Sequence, residues 1–461
     1  MKKTWGDIKR VLLVLPDERS EKKGVQPLFN RIWQPLDLAN IAGLLEAKGV
    51  FVRIIDNRVE RLSPEKLGAL GQNFDANCVT SAPYDRWQCP PLHIRSFFET
   101  AQLFPKEKTI LFGPHVTERP ETFLRQTGAR VAVLGEPEMT LLELLTCEGN
   151  QENLREISGL AFFKDNVFVR TRPKRGSELA TLSKPAFHLL SMTKYHYSFM
   201  EHPFTLLEGS RGCPFHCKFC YKGMFPGGYR QKKPDDLAAE VAKVKAEFGI
   251  RSVYFMDLEF GLDRDFLISF CRRMIAMKND VTWCCQTRAK DLDSTTLALM
   301  RQAGCTLIHM GVESGSPDIL KKSGKAMVLN DCQRAIMEAK HQGIRTALFF
   351  NCGFPGETEE DRAKTLDAAI KLDPTYAAFH MLIPYPGTAW AKEQMLDTEL
   401  SSPGHYPSFF HTCHDERTLK AWVRKAYGKF YLRPAAIIRM MTGEKQRLPE
   451  KLVLFFRFWI K

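Results

Sequence analysis

Cys213, Cys217 and Cys220 lie in the run Gly212-Cys-Pro-Phe-His-Cys-Lys-Phe-Cys-Tyr221, a C-x3-C-x2-C triplet. Three thiolates so spaced can hold three corners of a [4Fe–4S] cluster and leave one iron open. An open iron on a strongly reducing cluster can bind and cleave a second cofactor rather than only pass electrons. The triplet follows an apolar stretch, Phe204-Thr-Leu-Leu-Glu-Gly209, and precedes Gly223, Gly227 and Gly228, so it sits on a glycine-rich loop at a strand end. Backbone N–H groups in such a loop are free to bond cluster sulfurs. Zinc is the competing reading, but it takes four ligands, usually as paired C-x2-C units, and no second pair lies at a plausible spacing. Thirteen cysteines in a long chain also produce an occasional chance triplet.

Chemistry-bearing side chains recur downstream, each at the end of a short apolar run. The first run ends Met256-Asp257-Leu-Glu259-Phe260 and the next Gln286-Thr-Arg288. Then come Met310-Gly-Val-Glu313-Ser314-Gly-Ser316, Cys352-Gly353-Phe-Pro-Gly356-Glu357 and Ile383-Pro-Tyr-Pro-Gly-Thr388. Taken singly, a carboxylate or glycine at a strand end is an ordinary turn. Six such ends in register, counting the triplet, converge on one mouth if the strands are parallel.

The elements that would position them read as two α/β units. Over 1–148, Val11-Leu-Leu-Val-Leu15 is a continuous apolar run, the mark of a buried parallel strand. Further strands fall at 51–55, 77–80, 109–112 and 131–134, and a helix at 36–48 closes on Gly49. This alternation predicts a doubly wound, Rossmann-like domain that binds ligands beyond its strand C-termini, where Gly113-Pro-His115 and Gly135-Glu136 fall. Residues 149–203 read as a linker with a small hairpin, 160–163 and 167–170, around Asp165-Asn166. Over 204–395, Pro234-Asp-Asp236 opens a helix with Leu237, Val241, Val244 and Phe248 on one face. Strands follow at 252–256, 281–287, 306–311, 345–351 and 376–383, which predicts a (β/α)6 partial TIM barrel with chemistry at the strand C-termini. Residues 396–461 read as a helical extension, with Leu419, Trp422, Ala426, Tyr427 and Phe430 on one face. Its apolar tail at 452–460 is too short to span a bilayer, and a helix packed on the barrel is favoured over a membrane-surface anchor.

The 461 residues are 44% hydrophobic and 26% charged, which fits a globular protein with sizeable cores. The start shows no secretory signal and the cysteines no regular framework, so a cytoplasmic location with reduced thiols is expected. The net charge of +13 is spread out, and its densest cluster, Arg170-Thr-Arg-Pro-Lys-Arg175, lacks interleaved aromatics, so no nucleic-acid partner is expected. Of the other cysteines, Cys271 reads as core, and Cys284 alternates with Gln286 and Arg288 on one strand face.

The triplet, with Phe219 before its last cysteine, resembles the signature of the radical S-adenosylmethionine (SAM) superfamily. The pieces Gly311-Val-Glu-Ser-Gly-Ser316, Gly353-Phe-Pro-Gly-Glu-Thr358 and Pro384-Tyr-Pro-Gly-Thr388 narrow the resemblance to members with an N-terminal cobalamin-binding domain. So do Gly113-Pro-His115 followed by Pro120-Glu121, and Gly135-Glu-Pro-Glu138; residues 427–434 are similar to a segment of lipid- and tetrapyrrole-modifying members. The resemblance implies that Cys213, Cys217 and Cys220 bind the cluster. It implies SAM contacts from Phe219, Asp257, Glu259, Arg288, Glu313, Ser314, Gly353 and Gly356, and cobalamin contacts from Gly113, His115, Gly135 and Glu136. It further implies reductive SAM cleavage to a 5′-deoxyadenosyl radical, an electron donor such as flavodoxin or ferredoxin, and C-methylation of a small, lipid-like or tetrapyrrole molecule. Radical cyclisation, oxidation or C–C coupling without methyl transfer is the nearest alternative. RNA modification and a non-enzymatic metal scaffold stand further off, and the C-terminus leaves room for peripheral membrane contact. The chain departs from the pattern where an Asp-x-His-x-x-Gly loop gives cobalt a histidine: here it reads Pro16-Asp-Glu-Arg-Ser-Glu21. A Gly-Gly pair after the fourth strand is replaced by Phe112-Gly113. Either cobalamin binds without a lower protein ligand, or the domain has lost it.

Overall fold

The computed structural model describes residues 8–17, 31–146, 154–182, 184–383, 385–394 and 415–442. Two largely parallel sheets organise it. The first holds β1 (Arg10–Leu15), β2 (Phe51–Asp56), β3 (Ala76–Thr80), β4 (Thr109–Phe112), β5 (Val131–Val133), β6 (Leu160–Lys164) and β7 (Val167–Arg170). Their spatial order is β2-β1-β3-β4-β5-β6-β7. Strands β1 to β5 run parallel, and Val11, Leu12, Leu13 and Val14 are fully buried because helices cover both faces. The order reverses between β1 and β3, so the crevice of this sheet opens beyond the C-termini of those two strands.

The hairpin β6–β7 turns through Asp165 and Asn166, both at positive φ, as a two-residue hairpin turn requires. Here the structure differs from the linker expected at 149–203. β6 pairs antiparallel with β5, Leu160 opposite Val133, and so extends the first sheet. Without it β5 would present an unpaired edge.

The second sheet contains β8 (Phe204–Leu207), β9 (Ser252–Phe255), β10 (Thr282–Gln286), β11 (Cys305–Glu313), β12 (Arg345–Cys352) and β13 (Tyr376–Met381). All six are parallel and lie in chain order. Among the described residues β8 and β13 do not pair, so the barrel is open. Helix Pro234–Phe248 buries Leu237, Val241 and Val244 and ends on Gly249 at φ +64°. Cys271 and Cys284 are both fully buried.

The free edge of β13 is covered by helix Glu416–Tyr431. The Tyr427 hydroxyl accepts from Phe379 N at 3.2 Å. The Tyr431 hydroxyl accepts from Ala377 N at 3.1 Å and donates to Ala377 O at 2.8 Å. Two tyrosines one helical turn apart thus reach alternate residues of one strand, with Leu419 and Phe430 fully buried beneath them. The 452–460 tail lies outside the described residues. No helix of the described residues is long and apolar enough to cross a membrane. One continuous buried cluster runs from Val11 and Trp33 to Phe204, Trp283 and Phe379, so the two sheets share a core.

Candidate active site

The cysteine loop leaves β8 and is closed at its base by a short antiparallel ribbon, Ser210–Arg211 against Arg230–Gln231. Gly212 adopts φ +86°, and a Cβ there would stand 1.9 Å from Gly228 O. Only glycine fits that crossing. Cys213, Cys217 and Cys220 are free and partly exposed. Burial and then the neighbouring Cys89, Cys217 and Cys213 thiols push Cys220 up, so these sulfurs sense one another. Iron coordination would remove those protons outright. Among the described residues no three His, Cys, Asp or Glu side chains converge on a single ion. A cubane takes one thiolate at each of three separate irons, so the donor set fits a cluster without such convergence.

Charged side chains from the later strands gather beside Cys217. Arg288, after β10, places Nη2 3.7 Å from Cys217 Sγ. Its guanidinium lies over the Phe215 ring at 3.3 Å, and Nε donates to Glu259 Oε1 at 3.2 Å. Glu259 Oε2 is buried without a hydrogen-bond partner. Burial raises this carboxyl's pKa, while the nearby Lys325 and Arg288 oppose the rise. A buried acceptor left unsatisfied is costly, and a ligand ammonium group would satisfy it. Lys325 Nζ lies 3.1 Å from Glu313 Oε1, and Asn351 Nδ2 donates to the other oxygen of Glu313. Glu313 itself sits at φ +70°, a strained conformation for a non-glycine residue at a strand end. Lys325 arrives on a segment tied to the cysteine loop by Lys218 N donating to Ser323 O at 2.9 Å.

The structure therefore brings Cys213, Cys217, Cys220, Glu259, Arg288 and Glu313 to one mouth. Of the remaining expected SAM residues, Asp257, Ser314, Gly353 and Phe219 also have partners within the protein. Asp257 accepts from Gly209 N at 2.8 Å and Ser210 Oγ at 2.6 Å, and burial pushes its carboxyl to about 7. It braces the start of the cysteine loop. Ser314 Oγ bonds Thr365 Oγ1 at 3.0 Å. Gly353 N donates to Glu357, and a Cβ on Gly353 would meet Leu419 of the C-terminal helix at 2.8 Å. Gly356 turns at φ +72°, and a Cβ there would meet only Lys322 Nζ, at 3.9 Å. Phe219 packs near Phe354 and Trp390, each at 6.1 Å between ring centroids.

On the first sheet, Gly113 has φ +105°, and a Cβ there would stand 2.6 Å from Ser81 Oγ. His115 is buried, with Nδ1 3.1 Å from Ser81 Oγ and Nε2 2.9 Å from Pro91 O. Because Pro91 O accepts only, Nε2 carries the proton, and burial lowers the imidazole to about 4. Both ring nitrogens are spoken for. Gly135 lies against Pro226 of the cysteine loop, 3.5 Å from a built Cβ. Glu136 is ion-paired to Arg230 and, at 3.3 Å, to Arg211.

Arg211 was not foreseen as a functional residue, although it stands two positions before Cys213. Fully buried, it lies 2.7 Å from Glu208 and 2.9 Å from Glu138, so carboxylates of both sheets meet on one guanidinium. Lys325, Asn351 and Phe215 were also missed. Lys325 follows a Ser-Gly turn rather than a strand end, and Asn351 points inward from within β12, positions the strand-end rule does not flag.

Cys89, on the segment after β3, is exposed. On β13 the His380 ring stacks on Phe349 of β12, with 6.2 Å between ring centroids.

Comparison with known proteins agrees with this arrangement. The radical SAM superfamily matches residues 207–369. An uncharacterized methyltransferase of Pyrococcus horikoshii is 30% identical over 456 residues, covering 94% of each chain. The anaerobic magnesium-protoporphyrin IX monomethyl ester cyclase of Rubrivivax gelatinosus is 26% identical over 455 residues, 95% of this chain and 80% of the relative. The radical SAM methyltransferase TsrM from Kitasatospora setae, solved with cobalamin and a [4Fe–4S] cluster, superposes with a TM-score of 0.67 at 20% identity over 86% of this chain and 76% of that one. With its cysteine loop at the mouth of an open six-stranded barrel, the chain belongs to the radical SAM superfamily, enzymes that use a [4Fe–4S] cluster and SAM.

Proposed function

We propose that the protein is a cobalamin-dependent radical SAM enzyme that methylates an unactivated carbon of a small molecule. The observation that carries this reading is the contact of the first sheet's strand ends with the cysteine loop, where Glu136 pairs with Arg211 and Arg230 and Gly135 lies against Pro226. A large flat cofactor at the strand C-termini of the first sheet would face the barrel mouth. The engagement of His115 with Ser81 and Pro91 agrees with cobalamin held without a histidine on cobalt.

In this reading Cys213, Cys217 and Cys220 hold the cluster. Glu259 Oε2 accepts from the SAM ammonium, Arg288 takes its carboxylate, and Glu313, oriented by Lys325 and Asn351, receives the ribose hydroxyls. When bound, these cofactors supply a 5′-deoxyadenosyl radical for hydrogen abstraction and a methyl group for the substrate carbon. The protein's part is to hold the reacting partners in reach and exclude water, which the buried mouth favours. A reductant of the flavodoxin or ferredoxin class completes the system.

The test is corrinoid content after anaerobic cluster reconstitution with hydroxocobalamin, read from the absorption spectrum after desalting. About one corrinoid per chain, unchanged in Cys217→Ala, is expected. No retained corrinoid while SAM is still cleaved would sink methyl transfer and favour cyclisation or coupling, as the name of the Rubrivivax relative suggests.

A further inference from the structure

The interior of the barrel is filled at one end and open at the other. At the N-terminal ends of the strands Arg345 Nη2 donates to Phe199 O at 3.1 Å, and the Phe199 ring lies 4.3 Å from that of Tyr376. Above this floor the Tyr197 and Tyr254 hydroxyls hold His309 between them, at 3.3 and 3.1 Å, and Trp33 packs 4.8 Å from Tyr254. Trp33, Tyr197, Tyr254 and His309 are all buried. The next ring toward the strand C-termini, Phe349, stands 5.4 Å from His309 and is half-buried. Beyond it His380 is exposed.

His380 owes its direction to its neighbour. Phe379 turns out to the C-terminal helix, 5.3 Å from Tyr427 and 5.9 Å from Trp422, and successive side chains of a strand point to opposite faces. His380 therefore faces into the barrel, where its ring lies 6.2 Å from that of Phe349 at an angle of 25°. It is in register with Asn351, which donates to Glu313 at the mouth. Gln286, in register with the inward His309, is half-buried on the same face, as is Asn351. Inward side chains of a barrel strand ordinarily fill its core. Exposure of this one means that the packing stops at Phe349, and that two stacked rings and two carboxamides line an opening beside Glu313.

We infer that Phe349 and His380 form the substrate wall, and that the substrate is a flat, unsaturated ring system that lies against this pair while a polar substituent bonds the imidazole. A flat ring gains an attraction on an aromatic wall that a saturated ring of the same size does not. The register of His380 with Asn351 sets that ring beside Glu313, the group proposed to receive the SAM ribose, so the two ligands meet at the strand ends. The inference deepens the proposed reaction and rests on it for the word substrate. The wall itself stands on the ring geometry.

Diethylpyrocarbonate acylates accessible imidazoles, so His380 can report on its own surroundings. The cluster-reconstituted protein is treated anaerobically in the presence of 2-naphthamide or of its saturated counterpart, decahydronaphthalene-2-carboxamide, and the His380 peptide is quantified by mass spectrometry. The flat amide is expected to slow the modification at a concentration at least about threefold below that required of the saturated one. Phe349→Leu should abolish the difference, with iron content and the rate of modification without amide unchanged as evidence of folding. Phe349→Tyr should keep it. Equal protection by the two amides, a difference that survives Phe349→Leu, or a His380 that is not modified at all would each overturn the wall. None of these readings depends on methyl transfer. A preparation that prefers the flat amide yet retains no corrinoid leaves the wall standing and removes the proposed reaction.

Discussion

Glu259 is the side chain whose environment says most about a ligand, because one oxygen is bonded to Arg288 and the other is buried with nothing to accept from. Glu259→Gln keeps the shape and the acceptor but loses the charge and presents an NH2 to a ligand cation. SAM affinity, measured by equilibrium dialysis on the reconstituted protein, is expected to fall at least tenfold, or more than about 1.4 kcal/mol, with iron content unchanged. Asp257 was marked with Glu259 from the same strand end, and its two oxygens turn out to brace Gly209 and Ser210. The two carboxylates are two residues apart in the chain. Nothing in that spacing says which of them faces a ligand, since the turn after β9 decides it.

Helix Glu416–Tyr431 solves a problem that an open barrel creates. β13 would otherwise expose a row of unpaired N–H and C=O groups. Replacing Tyr427 and Tyr431 by phenylalanine preserves the packing and removes three hydrogen bonds to that strand. The double variant should lose about 2–4 kcal/mol in denaturant unfolding, and amide exchange should accelerate selectively at 376–381. Unchanged protection there would mean that the edge is covered by packing alone. The apolar face of this helix was readable from its 3.6-residue spacing. The role of the tyrosine hydroxyls was not, because it depends on the register of a strand some fifty residues away.

Across the molecule, Arg211 ties the first sheet to the cysteine loop. Removing it in Arg211→Met leaves Glu136, Glu138 and Glu208 facing one another without their shared cation. About 3–5 kcal/mol of stability should be lost, as for other broken buried pairs, and limited proteolysis should cut between the halves. The whole fold also responds to acid. His115 and His309 are held neutral by burial at about 4 and about 3, below the 6.5 of a free imidazole. Below pH 6.5 the unfolded chain takes up protons that the folded one refuses. Their share of the stability is full above about pH 6.5 and falls as pH drops toward 4, with a slope of at most about 3 kcal/mol per unit from the two together, while Asp257, pushed up to about 7, acts in the opposite sense. Histidine ring signals of the folded protein followed by NMR from pH 7.5 to 4.5 should therefore show at least two that do not titrate; if every ring titrated near 6.5, these histidines would be protonated in the fold.

Periodicity and motif spacing were enough to set out the parallel strands of both sheets, their order along the chain and the loop that carries Cys213, Cys217 and Cys220. Buried parallel strands must be continuous apolar runs, and strand ends in a parallel sheet must share a face. Partners in space were beyond that reach. The hairpin at 160–170 joined the first sheet, Glu136 turned to Arg211 and Arg230, and His115 was claimed by Ser81 and Pro91. Each outcome depends on which polar group arrives opposite when two sheets close on one core, and burial makes a group left unpaired costly. Local sequence specifies the period and hand of an element; only the closed fold decides which donor meets which acceptor, and which acceptor is left for a ligand.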